Sequence, residues 1–225
     1  MNFKEKLKDK ELTIGSWITL AHPAIAEIMA RAGFEWLVVD LEHSVITIRE
    51  AEELIRVIGL CGSVPLVRLS ANDPVQIKRV MDAGAHGIII PMVNSAEDAQ
   101  KAVDALYYPP KGKRGVGLAR AQGYGAGFEE YKEWLNREAI VIVQIEHIQA
   151  VENLTEILSV EGVDGFIVGP YDLSGSLGVP GDFEHPLMKE AMTTIRTVGG
   201  ASGKAPGIHI IEPDAKQLQQ RIKEN

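Results

Sequence analysis

The sequence predicts an α/β fold, a (β/α)8 TIM-type barrel, on three observations. Short β-rich runs alternate with helical patterns from end to end. Most of these runs are continuously apolar, as strands are when helices cover both faces of a parallel sheet. Polar residues collect at the C-terminal ends of nearly every run: Trp17, Asp40, Glu42, His43, Arg68, Gln144 and Glu146, then Asp172 just past Gly169. A closed barrel would bring all of these to one mouth, where barrel enzymes place their sites.

The elements follow in order. TIGSWITL (13–20) is the first expected strand, and Pro23 opens a helix through Ala32 that Gly33 closes. WLVVDL (36–41) is the second strand, with a helix around 47–60 after it. VPLVRL (64–69) is the third, and Asn72-Asp73-Pro74 caps a helix that ends at Gly84. GIIIPMV (87–93) is the fourth, and Ser95 caps helix 95–106. The stretch 107–127 reads as one long irregular loop, a length usually kept for function. AIVIVQIE (139–146) is the fifth strand, with a helix to about Leu158; GFIVG (165–169) is the sixth, with a helix around 186–198. APGIHII (205–211) is the seventh, and Pro213 starts a last helix through Lys223. No linker divides residues 1–225, so one domain is expected. Seven units leave the eighth strand and its helix apparently missing from this chain, which keeps a doubly wound sheet as the alternative architecture.

Composition narrows the function classes. The chain is 45% hydrophobic and 24% charged, ordinary for a globular protein. Its net charge of -8 argues against nucleic acid as a partner. Its apolar runs are too short to span a membrane. The N-terminal MNFKEKLKDKELT has no apolar core of a secretory signal. A single cysteine, Cys61, fits a reducing cytoplasm and reads as inert core.

The candidate chemistry starts from strand alternation. Gln144 and Glu146 share one face of their strand, turned into the barrel when Val143 and Ile145 pack under helices. Glu146 and Asp172 could then reach one point above the barrel. Two carboxylates without a second cysteine suit a hard divalent cation, Mg2+ or Mn2+, with Co2+ a further candidate. The plainer readings are a solvated strand-end charge for Glu146 and a helix or turn cap for Asp172. Arg68 at the same mouth needs an anion: a substrate carboxylate, a developing enolate, or a structural partner in Asp40 or Glu42. His43 is a candidate base. Asp82 could orient it, although the helix carrying Asp82 ends on the far side of the barrel. The Glu-His pair of VVDLEHS (38–44) recurs in IVQIEH (142–147), with the histidine the working member in the first and the glutamate in the second.

DLEHS, VRL, MDAGAHGIIIPMV, YYPPKGKRGVG, VQIE and GPYDLSGSLG occur in that order between about Gly15 and Glu212. Together they resemble the HpcH/HpaI family of class II, metal-dependent pyruvate aldolases, which includes aldolases of 4-hydroxy-2-oxoheptanedioate and of 2-keto-3-deoxy-sugar acids. The resemblance implies a (β/α)8 barrel in which Glu146 and Asp172 bind the divalent ion and Gln144 touches ligand or metal-held water. It implies that Arg68 contacts the keto oxygen of pyruvate, that His43 is the base and is paired with Asp82, and that the backbone around Gly169, Tyr171 and Asp172 holds the carboxylate. Trp17 is expected as a further substrate contact, and Asp40 and Glu42 as supports of the site. The family is typically a hexamer, a trimer of dimers. The implied reaction is reversible cleavage of a 4-hydroxy-2-oxo acid to pyruvate and an aldehyde. An oxaloacetate-type decarboxylase or related C–C lyase, and a truncated barrel that binds 2-oxo acids without turnover, are the alternatives. The lysines of KGK (111–113) read as solvated, so no Schiff base is expected. His22 and His147 match no expected family position and read as specificity residues or surface.

Overall fold

The computed structural model describes residues 2–210 and 214–224. The expected strand end at Ile211 and the expected helix start at Pro213 lie outside those residues. The elements run α1 (Phe3–Lys8), β1 (Gly15–Ile18), α2 (Pro23–Arg31), β2 (Trp36–Asp40), α3 (Ile48–Leu60), β3 (Val64–Arg68), α4 (Pro74–Asp82), β4 (Gly87–Ile90) and α5 (Ala96–Leu106). After a 3-10 turn at Arg120–Gly125 come α6 (Phe128–Glu138), β5 (Ile140–Ile145), α7 (Ile148–Glu152), α8 (Leu154–Ser159), β6 (Gly165–Val168), α9 (Pro170–Ser176), α10 (Pro186–Ala201), β7 (Ala205–Ile208) and α11 (Ala215–Glu224).

The seven strands form one sheet in the order β1-β2-β3-β4-β5-β6-β7, every pair parallel. A doubly wound sheet would reverse its order at a switch point, and this one does not. Among the described residues the sheet has seven strands, with β1 and β7 at its edges. The sheet curls. Val38, Leu66, Ile89, Ile140 and Ile167, from five different strands, pack into one cluster with Phe3 of α1, inside the curl. The alternate residues Leu37, Val39, Val67, Ile88, Val141, Val143 and Ile145 join the larger core between sheet and helices. This is the two-faced burial that made the strands read as continuous apolar runs.

Helix starts follow local chemistry. Thr47 caps α3 in a reciprocal capping box with Glu50, while Asp73 and Ser95 cap α4 and α5. His22 and His147, read as specificity residues or surface, cap α2 and α7 at exposed helix starts, each accepting the N–H two residues on at 3.2 Å. Cys61 is the C-cap residue of α3 and only partly buried, packed against the core. Among the described residues no helix is long and apolar enough to cross a membrane.

Two ties close the end of the curl where strands begin. Lys4 of α1 donates to Tyr107 Oη, Ala139 O and Asp164 Oδ2 at 3.1, 2.6 and 3.1 Å. His86 precedes β4, donates its N–H to Pro65 O at 2.8 Å, and meets Trp134 of α6 edge-on at 4.9 Å. Its Nε2 is buried without a hydrogen-bond partner. Burial pushes the His86 imidazole down to about 4 from its ordinary 6.5, against the opposing charge of Glu138 and with that of Lys4. A histidine depressed on folding contributes stability in full above pH 6.5 and loses it between 6.5 and about 4, because the unfolded chain binds the proton first. The loss over that window should be roughly 3 kcal/mol. Urea titrations at pH 7.5 and 5.0 should show a larger drop in the wild type than in His86→Gln; equal drops would mean that His86 is not the buried neutral group responsible.

Candidate active site

Parallel register brings the first pair together. Asp40 ends β2 and Arg68 ends β3, and the two residues are partners in the ladder. The Arg68 guanidinium donates through Nε to Asp40 Oδ1 at 2.9 Å and through Nη2 to Oδ2 at 2.6 Å, a fork that matches the carboxylate. Asp40 Oδ1 also accepts the N–H groups of Glu42 and His43, at 3.0 and 3.3 Å, and Ser44 Oγ donates to Asp40 O. These bonds fold the DLEHS turn over the strand end. Burial alone would push the Asp40 carboxyl up; the Arg68 bonds and charge, with the two N–H groups, outweigh it together and hold it below its ordinary value. Arg68 thus has the structural partner that was one of its open readings. Its Nη1 reaches Glu42 Oε2 at 3.2 Å, and its Cζ lies 4.6 Å from the Trp17 ring centre.

Glu146 stands just past β5 and is 2% exposed, so it is no solvated strand-end charge. Its Oε1 accepts the Met92 N–H at 2.6 Å, and its Oε2 accepts from Gln144 Nε2. Met92 holds a left-handed backbone (φ 51°), a sparsely used conformation that residues at functional sites often adopt. Gly169, after β6, lies against the same carboxylate: a Cβ there would come within 2.9 Å of Glu146 Cβ and Oε2. Only glycine leaves room for the acid. Asp172 lies in the first turn of α9, is exposed, and makes no capping bond.

Trp17, His43, Arg68, Gln144, Gly169, Tyr171 and Asp172 line one cavity of about 250 Å³ at the C-terminal ends of the strands. Asp40 and Glu42 stand beside it through Arg68, and Glu146 through Gln144 and Gly169. His43 is exposed, with Nε2 3.9 Å from Glu42 Oε2.

Asp82 is the exception. It is the last residue of α4, at the end of the molecule where β4 begins, whereas His43 follows the end of β2. The structure brings Asp82 to Arg114 (3.8 Å), not to His43 of the same chain. Burial raises the Asp82 carboxyl against the charge of Arg114. Arg114 is buried, donates to Tyr131 Oη at 2.8 Å and lies 4.3 Å from the Tyr108 ring centre, which ties the 107–127 segment to α6. One cavity residue escaped the sequence reading: His209, just past β7, with its ring stacked on Trp17. Its position after an apolar run was the available signal.

The charges at the mouth do not balance. Asp40 and Glu42 both pair with Arg68, and the charge of a third carboxylate, Glu146, acts on Glu42. Burial and then the charge of Glu146 push the Glu42 carboxyl up to about 7, against Arg68 and His43. Glu42 Oε2 is buried without a hydrogen-bond donor. Such a surplus of oxygen donors fits a hard divalent cation, which would relieve the carboxylate repulsion. Among the described residues, no three His, Cys, Asp or Glu side chains converge on one point. The donors are therefore few and would leave coordination positions for other oxygens.

The family described as HpcH/HpaI aldolase/citrate lyase matches residues 13–224. The 4-hydroxy-2-oxo-heptane-1,7-dioate aldolase of Salmonella paratyphi C (strain RKS4594) is 43% identical over 218 residues, 96% of this chain and 82% of that protein. The crystal structure of an HpcH/HpaI aldolase/citrate lyase family protein from Burkholderia cenocepacia J2315 superposes with a TM-score of 0.91 at 34% identity, covering 98% of this chain and 88% of the other. The citrate lyase beta subunit of M. tuberculosis, complexed with oxaloacetate and magnesium, shares the fold at a TM-score of 0.63 and 16% identity, over 96% of this chain and 87% of that one.

The Asp40–Arg68 pair is testable without any substrate. Removing one partner of a buried pair leaves the other uncompensated. Asp40→Asn should cost roughly 2–4 kcal/mol in denaturant unfolding, tempered by the remaining Glu42 contact. The double change Asp40→Leu with Arg68→Met should cost clearly less than the sum of the singles. Strict additivity would deny the coupling.

Proposed function

Because this chain belongs to the HpcH/HpaI aldolase/citrate lyase family, we propose that it is a carbon–carbon lyase, a class II aldolase that cleaves 4-hydroxy-2-oxo acids reversibly to pyruvate and an aldehyde. The observation that carries the reading is the surplus of buried carboxylate around Arg68 at one cavity. The seven sequential strands are read as those of a TIM-type barrel.

Glu146 and Asp172 would hold the divalent ion. When bound, the ion supplies Lewis-acid neutralisation of charge on the keto and carboxylate oxygens. The chain's own residues account for the remainder. Arg68, fixed by Asp40 through two of its nitrogens, meets the keto oxygen and stabilises the enolate. Gln144 orients Glu146, and Gly169 gives it space. The backbone from Gly169 to Asp172 receives the substrate carboxylate, beside Tyr171. His43 takes the proton of the 4-hydroxyl. The C3–C4 bond then breaks, its electron pair passes into the enolate over C3, C2 and the keto oxygen, and C4 leaves as the aldehyde. Protonation at C3 completes pyruvate.

Asp82 is assigned to the His43 of a neighbouring copy, since within one chain the two lie at opposite ends of the sheet. That assignment goes with a homo-oligomer, a hexamer built as a trimer of dimers. A cytoplasmic location agrees with the single free thiol, Cys61.

Enzyme loaded with Mg2+ or Mn2+ should release pyruvate from at least one member of a panel of 4-hydroxy-2-oxo acids, and EDTA should abolish the release. It should also exchange the C3 protons of pyruvate for deuterium, and Glu146→Ala should stop both. Oxaloacetate decarboxylation faster than any aldol cleavage would favour a decarboxylase. Pyruvate binding without exchange would leave a non-catalytic barrel. Gly169→Ala should weaken calorimetric metal binding roughly ten- to a hundredfold, the usual effect of disturbing a ligand's support; unchanged affinity would remove Glu146 from the ligand set.

A further inference from the structure

A second arginine is buried at the end of the sheet where the strands begin, and the proposed reaction makes no direct use of it. The Arg114 side chain is fully buried. Its Nη2 donates to Tyr131 Oη at 2.8 Å, and its Cζ lies 4.3 and 5.5 Å from the ring centres of Tyr108 and Tyr131. Gln122, itself fully buried, donates to Tyr108 Oη at 2.6 Å and so fixes the nearer ring. The guanidinium is therefore held by α6 and by the segment after α5. Its Nη1 faces Asp82 Oδ1 at 3.8 Å.

That distance is the informative one. Arg68 and Asp40 close on each other in a two-bond fork at 2.9 and 2.6 Å. Arg114 stops short. Its Nη1 and Nε and the facing Asp82 Oδ1 are all buried without a hydrogen-bond partner, a rare state that calls for a reason. The rings hold the cation where its charge acts on the carboxylate but no hydrogen bond forms. Asp82 keeps 20% of its side chain exposed, and Gly117 stands on the Oδ2 side, where a Cβ would lie 3.5 Å away. Burial raises the Asp82 carboxyl; the charge of Arg114 opposes that most, ahead of Gln122 and of Lys78 on the same helix. Tyr108 and Tyr131 also feel the Asp82 charge. A carboxylate kept in this way can hold the N–H of an imidazole base and fix its tautomer.

We propose that Arg114 is a positioning residue: it fixes Asp82 as a carboxylate with an oxygen to spare, which orients the His43 of a neighbouring copy. The tie that anchors the loop thereby has a second task. The proposal rests on the aldolase reading and on the assignment of Asp82 to that histidine.

The test is a double-mutant cycle on pyruvate release by the metal-loaded enzyme, with the 4-hydroxy-2-oxo acid that the wild type cleaves fastest. Asp82→Asn should lower kcat by roughly a hundredfold, the low end of what a positioned base contributes. Arg114→Gln, which keeps a donor for Tyr131 and loses the charge, should lower kcat by roughly tenfold, and Arg114→Lys should recover most of that loss. Neither Asp82→Asn nor Arg114→Gln should change the calorimetric affinity for pyruvate. In the Asp82→Asn background, Arg114→Gln should lower kcat no further. Tyr131→Phe, a milder release of the same guanidinium, serves if the glutamine variant unfolds, and its loss should likewise vanish with Asp82→Asn. Equal losses with and without Asp82 would mean that Arg114 only anchors the loop, as would an Arg114→Gln enzyme of unchanged kcat. An Asp82→Asn enzyme of unchanged kcat would remove Asp82 from the reaction. Each of these overturns the proposal and leaves the aldolase reading intact. Release of pyruvate from no member of the panel by the wild type overturns both.

Discussion

The ion pair of Arg68 with Asp40 is the interaction on which the mouth of this sheet depends. Neither residue could be buried there alone, since an isolated charge in such surroundings would cost more than the fold can supply. Parallel pairing of β2 with β3 makes the two strand-end residues direct neighbours. The fork of two hydrogen bonds then fixes the guanidinium plane. What remains of each partner is turned to other work. Asp40 gathers the N–H groups of Glu42 and His43 and so shapes the turn that presents His43. Arg68 keeps Nη1 toward Glu42 and lies near the Trp17 ring, on which His209 stacks.

The same physics operates at the other end of the sheet with a different outcome. Arg114 is more deeply buried than Arg68, but its neighbours are two tyrosine rings and one distant carboxylate. Its Nε and Nη1 and Asp82 Oδ1 have no hydrogen-bond partner. Here aromatic faces carry much of the cation's compensation, and the result anchors a loop. At the mouth the balance runs the other way, with carboxylates in excess and the Glu42 carboxyl pushed up to about 7 by burial and then by the charge of Glu146. A buried positive charge surrounded by rings makes a structural tie. A buried negative surplus beside a cavity makes a place for a cation.

The strands were legible because burial on both faces writes itself as continuous apolar sequence, and the helix starts because Thr47, Asp73 and Ser95 carry capping oxygens. What stayed hidden lacked such marks. Helix α1 has six residues and is held by Phe3, Lys4 and Lys6, whose partners are far away in sequence. Helix α6 begins at a glycine with no side-chain cap, and residues 128–138, between the expected loop and the fifth strand, carried no expected element. Helix α9 starts inside GPYDLSGSLG, where the only structural expectation was a helix or turn cap at Asp172. At the site, alternation along β5 told correctly that Gln144 and Glu146 share a face. The stack of His209 on Trp17 could not be foreseen, because it joins strands at the two ends of the sheet order, and nothing local sets their distance. Gly169 was read as a backbone contact; its relation to Glu146 depends on how closely β5 and β6 approach.

The two Glu-His pairs show why a dipeptide carries no function of its own. After β5 the chain enters α7 at once, so His147 is the residue whose ring nitrogen caps the helix, and the glutamate before it is left pointing inward. After β2 the chain makes a turn before α3, and that turn is held by Asp40, which directs Glu42 to Arg68 and leaves His43 exposed at the cavity wall. His22 and His185 cap their helices just as His147 does, each through the N–H two residues on. A histidine immediately before a helix spends a ring nitrogen on the backbone. His43 is separated from its helix by the turn and spends neither ring nitrogen on the backbone, which is what the base of the proposed reaction requires.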